Sequence, residues 1–170
     1  MTKQKKYLLP ENEIPTQWYN IMADMPNKPL PPIHPQTHKP LTWQDLAHIF
    51  PEECSKQELD MEHEWIDIPE EVLDKYRFYR STPLVRAYEL EKALGTPAHI
   101  YFKNESVNPL GSHKINSALP QCYYAKQEGT TNVTTETGAG QWGMALSYAT
   151  KILGPECAAY QVTITMQQKP

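Results

Sequence analysis

Residues 132–154 read NVTTETGAGQWGMALSYATKILG, and this stretch decides the fold. Asn132 to Glu136 is short and rich in β-branched residues, which predicts a strand. Trp142, Ala145, Leu146, Ala149, Ile152 and Leu153 recur on one helical face, so a helix follows. Gly154-Pro155 stops it, because glycine takes the left-handed turn and proline cannot continue a helix. Between strand and helix lies TGAGQ (137–141), a glycine-rich turn. Upstream, SHKINSALPQCYYAKQEG (112–129) reads as another helix, ended by Gly129. Before it, NPLG (108–111) is a turn. AHIYFKNE (98–105) alternates and carries β-forming Ile100, Tyr101 and Phe102, which predicts a strand. Downstream, CAAYQVTITM (157–166) predicts a third. Strand, helix, strand, helix, strand implies right-handed crossovers in a parallel sheet, a βαβαβ unit of the α/β class. Pro120 falls inside the first of these helices. An interior proline costs about 3 kcal/mol and bends a helix, so a kink is expected there.

The N-terminal part differs in kind. Nine of the 16 prolines lie at or before Pro51. MADMPNKPLPPIHPQTHKP (22–40) is not expected to form a regular helix, since each proline removes an N–H and restricts its predecessor. Trp18, Tyr19, Ile21, Met22 and Met25 are apolar groups that a disordered tail disfavours. The segment is therefore expected to be an extended arm along a partner surface. His34 and His38 sit among prolines, without helical spacing geometry or a neighbouring carboxylate or cysteine, and no metal site is expected. Short helices follow. WQDLAHIF (43–50) is capped by Thr42 with Asp45 as its capping-box partner. PEEVLDKY (69–76) opens on Pro69. VRAYELEKALG (85–95) stops at Gly95 and Pro97. Two regions result: residues 1–60, a proline-rich arm with a short helix, and residues 61–170, an α/β domain.

The 170 residues carry a net charge of −4, with 39% hydrophobic and 21% charged residues. That balance suits a soluble chain and disfavours a nucleic-acid binder, which would show a basic face. No stretch approaches the roughly 20 apolar residues of a membrane span. The apolar run Tyr7-Leu8-Leu9 ends at Pro10, too short for a signal sequence. Cys54, Cys122 and Cys157 are odd in number and outside any CxxC, which suits reduced thiols in the cytoplasm.

In a parallel α/β sheet, ligands collect where strand ends lead into helices. NPLGSHK and ETGAGQ are two such loops, and they share a crevice if their strands are neighbours. Gly138, Ala139 and Gly140 let backbone N–H groups approach a carboxylate or phosphate at a helix N-terminus, with Thr137 and Gln141 adding polar contacts. The same glycines also suit an ordinary tight turn. Glu136, last in its strand, is placed for general acid or base work, or for an ordinary salt bridge. Lys114 is either a solvated handle or an amine with lowered pKa at a cationic helix end, able to form a Schiff base. An aldehyde with a phosphate, such as pyridoxal phosphate, would suit both loops.

FKNESVNPLGSHKINSAL (102–119), followed by TTETGAGQWGMALS (134–147), resembles the tryptophan synthase beta-chain family of fold-type-II pyridoxal-phosphate enzymes. QWYNIMADMPNKPLPPIHP (17–35) resembles the extended second form of that family. ETGAGQ separates the chain from cysteine synthase and threonine dehydratase types, which carry an SGN-type loop. The resemblance implies a partial fold-type-II fold and pyridoxal 5′-phosphate as cofactor. It implies that Lys114 holds the cofactor, with His113 and Asn116 beside it. It implies that Glu136 is the acid/base carboxylate, and that Thr137, Gly138, Ala139, Gly140 and Gln141 hold the substrate carboxylate. The implied reaction is β-replacement of L-serine with indole to give L-tryptophan. The implied partners are an alpha chain and a second copy in a homodimer.

Two departures bear on this. Tyr79-Arg80-Ser81-Thr82-Pro83-Leu84 stands where the family usually reads GRPTPL. The family's second domain and its glycine-rich phosphate cradle have no counterpart in these residues. The chain is therefore expected to be the lysine-bearing N-terminal portion, weak in cofactor binding and inactive by itself. A non-catalytic remnant is the alternative.

Overall fold

The computed structural model describes residues 4–168. In chain order, its N-terminal part holds β1 (Lys6–Tyr7), β2 (Gln17–Tyr19) and a single turn, α1 (Ile21–Asp24). Short pieces follow: α2 (Trp43–Leu46), α3 (Glu52–Glu58), β3 (Trp65–Asp67), α4 (Glu70–Arg77), β4 (Leu84–Arg86), α5 (Tyr88–Ala93) and β5 (Tyr101–Lys103). The longer elements come last: α6 (Ile115–Gln127), β6 (Asn132–Thr137), α7 (Gln141–Leu153), β7 (Glu156–Gln161) and a closing α8 (Thr163–Gln168).

The strands form separate sheets. β1, β4 and β5 make one antiparallel sheet, β2 and β3 an antiparallel pair, and β6 and β7 a parallel pair. The parallel pair runs in register from Asn132 opposite Glu156 to Thr137 opposite Gln161. Strand, helix, strand over β6, α7 and β7 is therefore as the sequence implies. The full βαβαβ unit is not. β5 leaves for the other sheet, where Arg86 and Glu91 hold it. Arg86 clasps Glu91 through Nε and Nη2 at 2.9 and 3.1 Å. Glu91 in turn accepts the Ile100 N–H at 2.8 Å, just ahead of β5. Alternation identifies a strand; it does not say which edge the strand will find.

Three other boundaries move for physical reasons. Val85 belongs to β4, paired with both β1 and β5, so the helix expected over 85–95 shrinks to α5. The strand expected over 157–166 ends at Gln161, where β6 ends as well. Past that point the backbone finds no strand partner and turns helical, with the Thr165 and Met166 N–H groups returning to the Val162 carbonyl. The helix expected from Ser112 begins at Ile115, after a turn through His113 and Lys114.

The arm is fastened to its own chain. Thr16 accepts the Ile68 N–H, and Lys28 Nζ donates to the carbonyls of Met22, Ala23 and Met61. The turn Ile21–Asp24 precedes the first proline of the 22–40 run, which is why three residues of that run are helical. Thr42 and Asp45 form the expected capping box.

The core lies between α4, α6 and α7. Val72, Leu73 and Tyr76 meet Ile115, Ala118, Leu119 and Cys122, and these meet Ala145, Leu146, Ala149 and Leu153. Ile152, placed on this face by periodicity, is 39% exposed, and Thr150 is buried instead. Small side chains let α7 press on the sheet. A Cβ on Gly143 would stand 2.9 Å from Thr137 Cγ2.

α6 runs through Pro120 without interruption. Proline leaves the carbonyl four residues earlier without its helical donor. That carbonyl belongs to Asn116, and it accepts the Tyr76 hydroxyl at 2.6 Å. Among the described residues no helix is long and apolar enough to cross a membrane.

Candidate functional site

The loop ahead of Lys114 is folded around one amide. Asn108, buried, accepts the Leu110 and Ser112 N–H groups through Oδ1 at 3.0 and 3.3 Å. Its Nδ2 donates to the Ser112 carbonyl at 2.8 Å. Gly111 takes φ +61°, which favours glycine and turns the chain toward α6. Ser112 Oγ then accepts the Lys114 N–H at 3.4 Å. Lys114 is half-buried, and among the described residues its ammonium makes no ion pair or hydrogen bond. His113 is exposed.

Asn116, the second residue of α6, is engaged on every side. Its Oδ1 accepts the Tyr79 hydroxyl and Arg80 Nη2, both at 2.8 Å, and Arg80 Nε at 3.3 Å. Its Nδ2 donates to Glu105 at 3.3 Å. The Arg80 guanidinium lies 3.6 Å from the Tyr76 ring centre, a cation–π contact. Burial raises the pKa of both Tyr76 and Tyr79, so these phenols keep their donor protons. Glu105 behaves oppositely. Burial opposes its charge, but donors from Thr82, Lys103 and Asn116 outweigh that and hold its carboxyl below the usual range.

The second loop is open. Thr137 is buried, and its Oγ1 accepts the Gly143 N–H at 3.1 Å, which shapes the turn. Gln161 Nε2 holds the Gly138 carbonyl at 3.1 Å. Gly140 caps α7 at φ +90°, a conformation that favours glycine. Among the described residues the N–H groups of Gly138, Ala139 and Gly140 meet no acceptor. A Cβ on Gly138 would meet nothing within 4 Å, so the fold of this chain does not require glycine there. Unspent donors at a helix N-terminus are an anion cradle. Gln141 is exposed beside them.

Glu136 is exposed, on the opposite side of β6 from Thr135 and Thr137. It borders a cavity of about 670 Å³ with Ile49, Phe50, Cys122, Trp142 and Tyr160. Trp142 is fixed there, its Nε1–H donating to Thr135 Oγ1 at 2.8 Å. Lys114 is not among the residues that line this cavity. The two loops are nonetheless at one end of the molecule's longer half. Residues 128–131 reverse the chain between α6 and β6, so the N-termini of α6 and α7 both lie at the carboxyl end of β6. β5 and β6 are not neighbours, so the condition for a crevice shared through one sheet is not met; α6 packs on α7 instead.

Tyr76, Tyr79, Arg80, Glu105 and Asn108 escaped the sequence reading of the site. One signal was present. An interior Pro120 implies an orphan carbonyl at Asn116, and so a donor from elsewhere.

Residues 76–169 match the family described as "Pyridoxal-phosphate dependent enzyme". Tryptophan synthase beta chain 2 of Aquifex aeolicus is 52% identical over 166 residues, covering 98% of this chain and 38% of that protein. The protein of the same description in Methanosarcina acetivorans is 50% identical over 168 residues, covering 99% of this chain and 38% of its own length. That of Thermotoga maritima is 52% identical over 163 residues, covering 96% and 38%. The chain thus spans about 38% of the length of these curated relatives.

Proposed function

The chain belongs to the pyridoxal-phosphate dependent enzyme family, and from that premise we propose that it is the lysine-bearing part of a tryptophan synthase beta-type lyase. The observation that carries this is the half-buried, unpaired Lys114 amine at the same end of the fold as the unspent N–H groups of Gly138, Ala139 and Gly140. Amine and anion cradle together fit a cofactor with an aldehyde and a substrate with a carboxylate.

Pyridoxal 5′-phosphate, when bound, supplies an electron sink for charge developing at the substrate's α-carbon. The rest falls to side chains. Lys114 would hold the cofactor, and its amine would serve as the base for the α-proton of L-serine. Glu136 moves a proton at the leaving hydroxyl oxygen and at the incoming nucleophile. The loop from Thr137 to Gln141 fixes the serine carboxylate, with Thr137 shaping the turn from within and the backbone donating. His113 would stand near the cofactor phosphate. Asn116 steadies the helix entry. Serine and indole give tryptophan and water. We assign L-serine and indole as substrates of the full-length protein, with an alpha chain and a second copy as its partners. The unpaired thiols fit the reducing cytoplasm. Residues 61–170 are the α/β part and 1–60 the arm.

The test is to trap the amine. The chain is mixed with pyridoxal 5′-phosphate and reduced with borohydride, and the labelled lysines are mapped by mass spectrometry. Label concentrated on Lys114, and lost from that peptide in Lys114→Ala, is the expected result. Label spread evenly over the exposed lysines would sink the proposal and leave a non-catalytic remnant.

A further inference from the structure

We propose that Tyr76, with Tyr79 and Arg80, forms a positioning group for Lys114, replacing from α4 the helix hydrogen bond that Pro120 removes. The role of the lysine rests on the function proposed above; the coupling between Tyr76 and Pro120 does not.

An α-helical carbonyl accepts the N–H four residues on. At Asn116 that donor is absent because residue 120 is proline. Asn116 lies two positions past Lys114, in the turn that sets where the lysine points. Left alone, its carbonyl would draw in water or spread the first turn. The Tyr76 hydroxyl occupies it at 2.6 Å, from a ring that is fully buried. Tyr79 and Arg80 take the side-chain oxygen of the same residue. Arg80 also covers the Tyr76 ring at 3.6 Å, so the group is tied to itself as well as to α6. The main-chain oxygen of Asn116 is thus held from the last turn of α4, and its side-chain oxygen from the residues just after that helix. The Lys114 carbonyl accepts from Ser117 and Ala118, so any opening of this turn frees the lysine's own backbone.

The test is a cycle in the 170-residue chain: wild type, Tyr76→Phe, Pro120→Ala and the double variant. Hydrogen exchange at the Ala118 amide reports the turn, and at Ala149 in α7 the whole fold. Competitive acetylation reports how accessible the Lys114 amine is, without any cofactor. An orphaned carbonyl should let the turn open about ten- to a hundredfold more often. Tyr76→Phe is therefore expected to speed exchange at Ala118 by about that factor over any change at Ala149. It should also bring the rate of Lys114 acetylation toward that of the exposed lysines. In the Pro120→Ala background the alanine N–H supplies the bond, and the same change should have little effect on either readout. Equal effects of Tyr76→Phe in both backgrounds, parallel exchange at Ala118 and Ala149, or an unchanged rate of Lys114 acetylation would each overturn the proposal. If the coupling holds while borohydride labelling is even, the enzymatic reading fails and the positioning stands.

Discussion

Gly138 and Gly143 flank one turn and answer to different demands. Gly143 is required by packing. A Cβ there would lie 2.9 Å from Thr137 Cγ2 and 3.3 Å from Ala159 Cβ. Overpacking of this kind costs about 1–3 kcal/mol, offset in part by the better helix propensity of alanine. Gly143→Ala is therefore expected to lower the urea midpoint by about 1 kcal/mol of stability. Gly138 has nothing near its missing Cβ, so Gly138→Ala should leave the midpoint unchanged or slightly raised. A reversed order of the two variants would show that the turn is shaped by something other than Thr137. Glu105 gives a prediction in pH. Its carboxyl is held below the ordinary range by donors that outweigh burial. A depressed carboxylate contributes its stability above the unfolded pKa of about 4.3 and loses it as pH falls through the folded value. The stability gap between wild type and Glu105→Gln should thus be open at pH 6 and close toward pH 3, measured by urea unfolding at each pH. A gap constant across that range would mean the charge of Glu105 contributes nothing.

At the scale of elements, legibility followed length and local chemistry. α7 was readable because its face, its left-handed Gly140 and its stop at Gly154 (φ +117°) are all encoded within the segment. The capping box at Thr42 and Asp45 was readable for the same reason. β1 to β4 were not foreseen as strands. Each is two or three residues long, and its partner is far along the chain, as Gln17 is from Asp67. Nothing within two or three residues announces such pairing. β5 reads as a strand from its own residues, but the β4 edge it joins lies on the far side of α5, and nothing within the strand names that partner. The candidate site divides likewise. Lys114, Glu136 and the TGAGQ loop are visible as residue types at the ends of local elements. The donors to Asn116 come from α4 and the residues just after it, some forty positions earlier in sequence, and only folding brings them there.

At the scale of the whole molecule, the cysteines mark which surfaces are closed. Burial, with nearby acidic groups adding to it, pushes the Cys54 thiol up to about 12. Burial does the same for Cys122, again to about 12. The thiolate is the reactive form, so both should resist a disulfide reagent at pH 8. Cys157 should react first, Cys54 more slowly and the buried Cys122 only as the chain unfolds; early loss of all three thiols together would mean the core is open in solution. The Tyr76 hydroxyl on Asn116 has, finally, a consequence for ancestry. Proline at position 120 is cheaper where a hydroxyl at position 76 supplies the donor it removes. Reverting the tyrosine would strand the proline. A lineage that loses the hydroxyl should be found to have lost the proline as well.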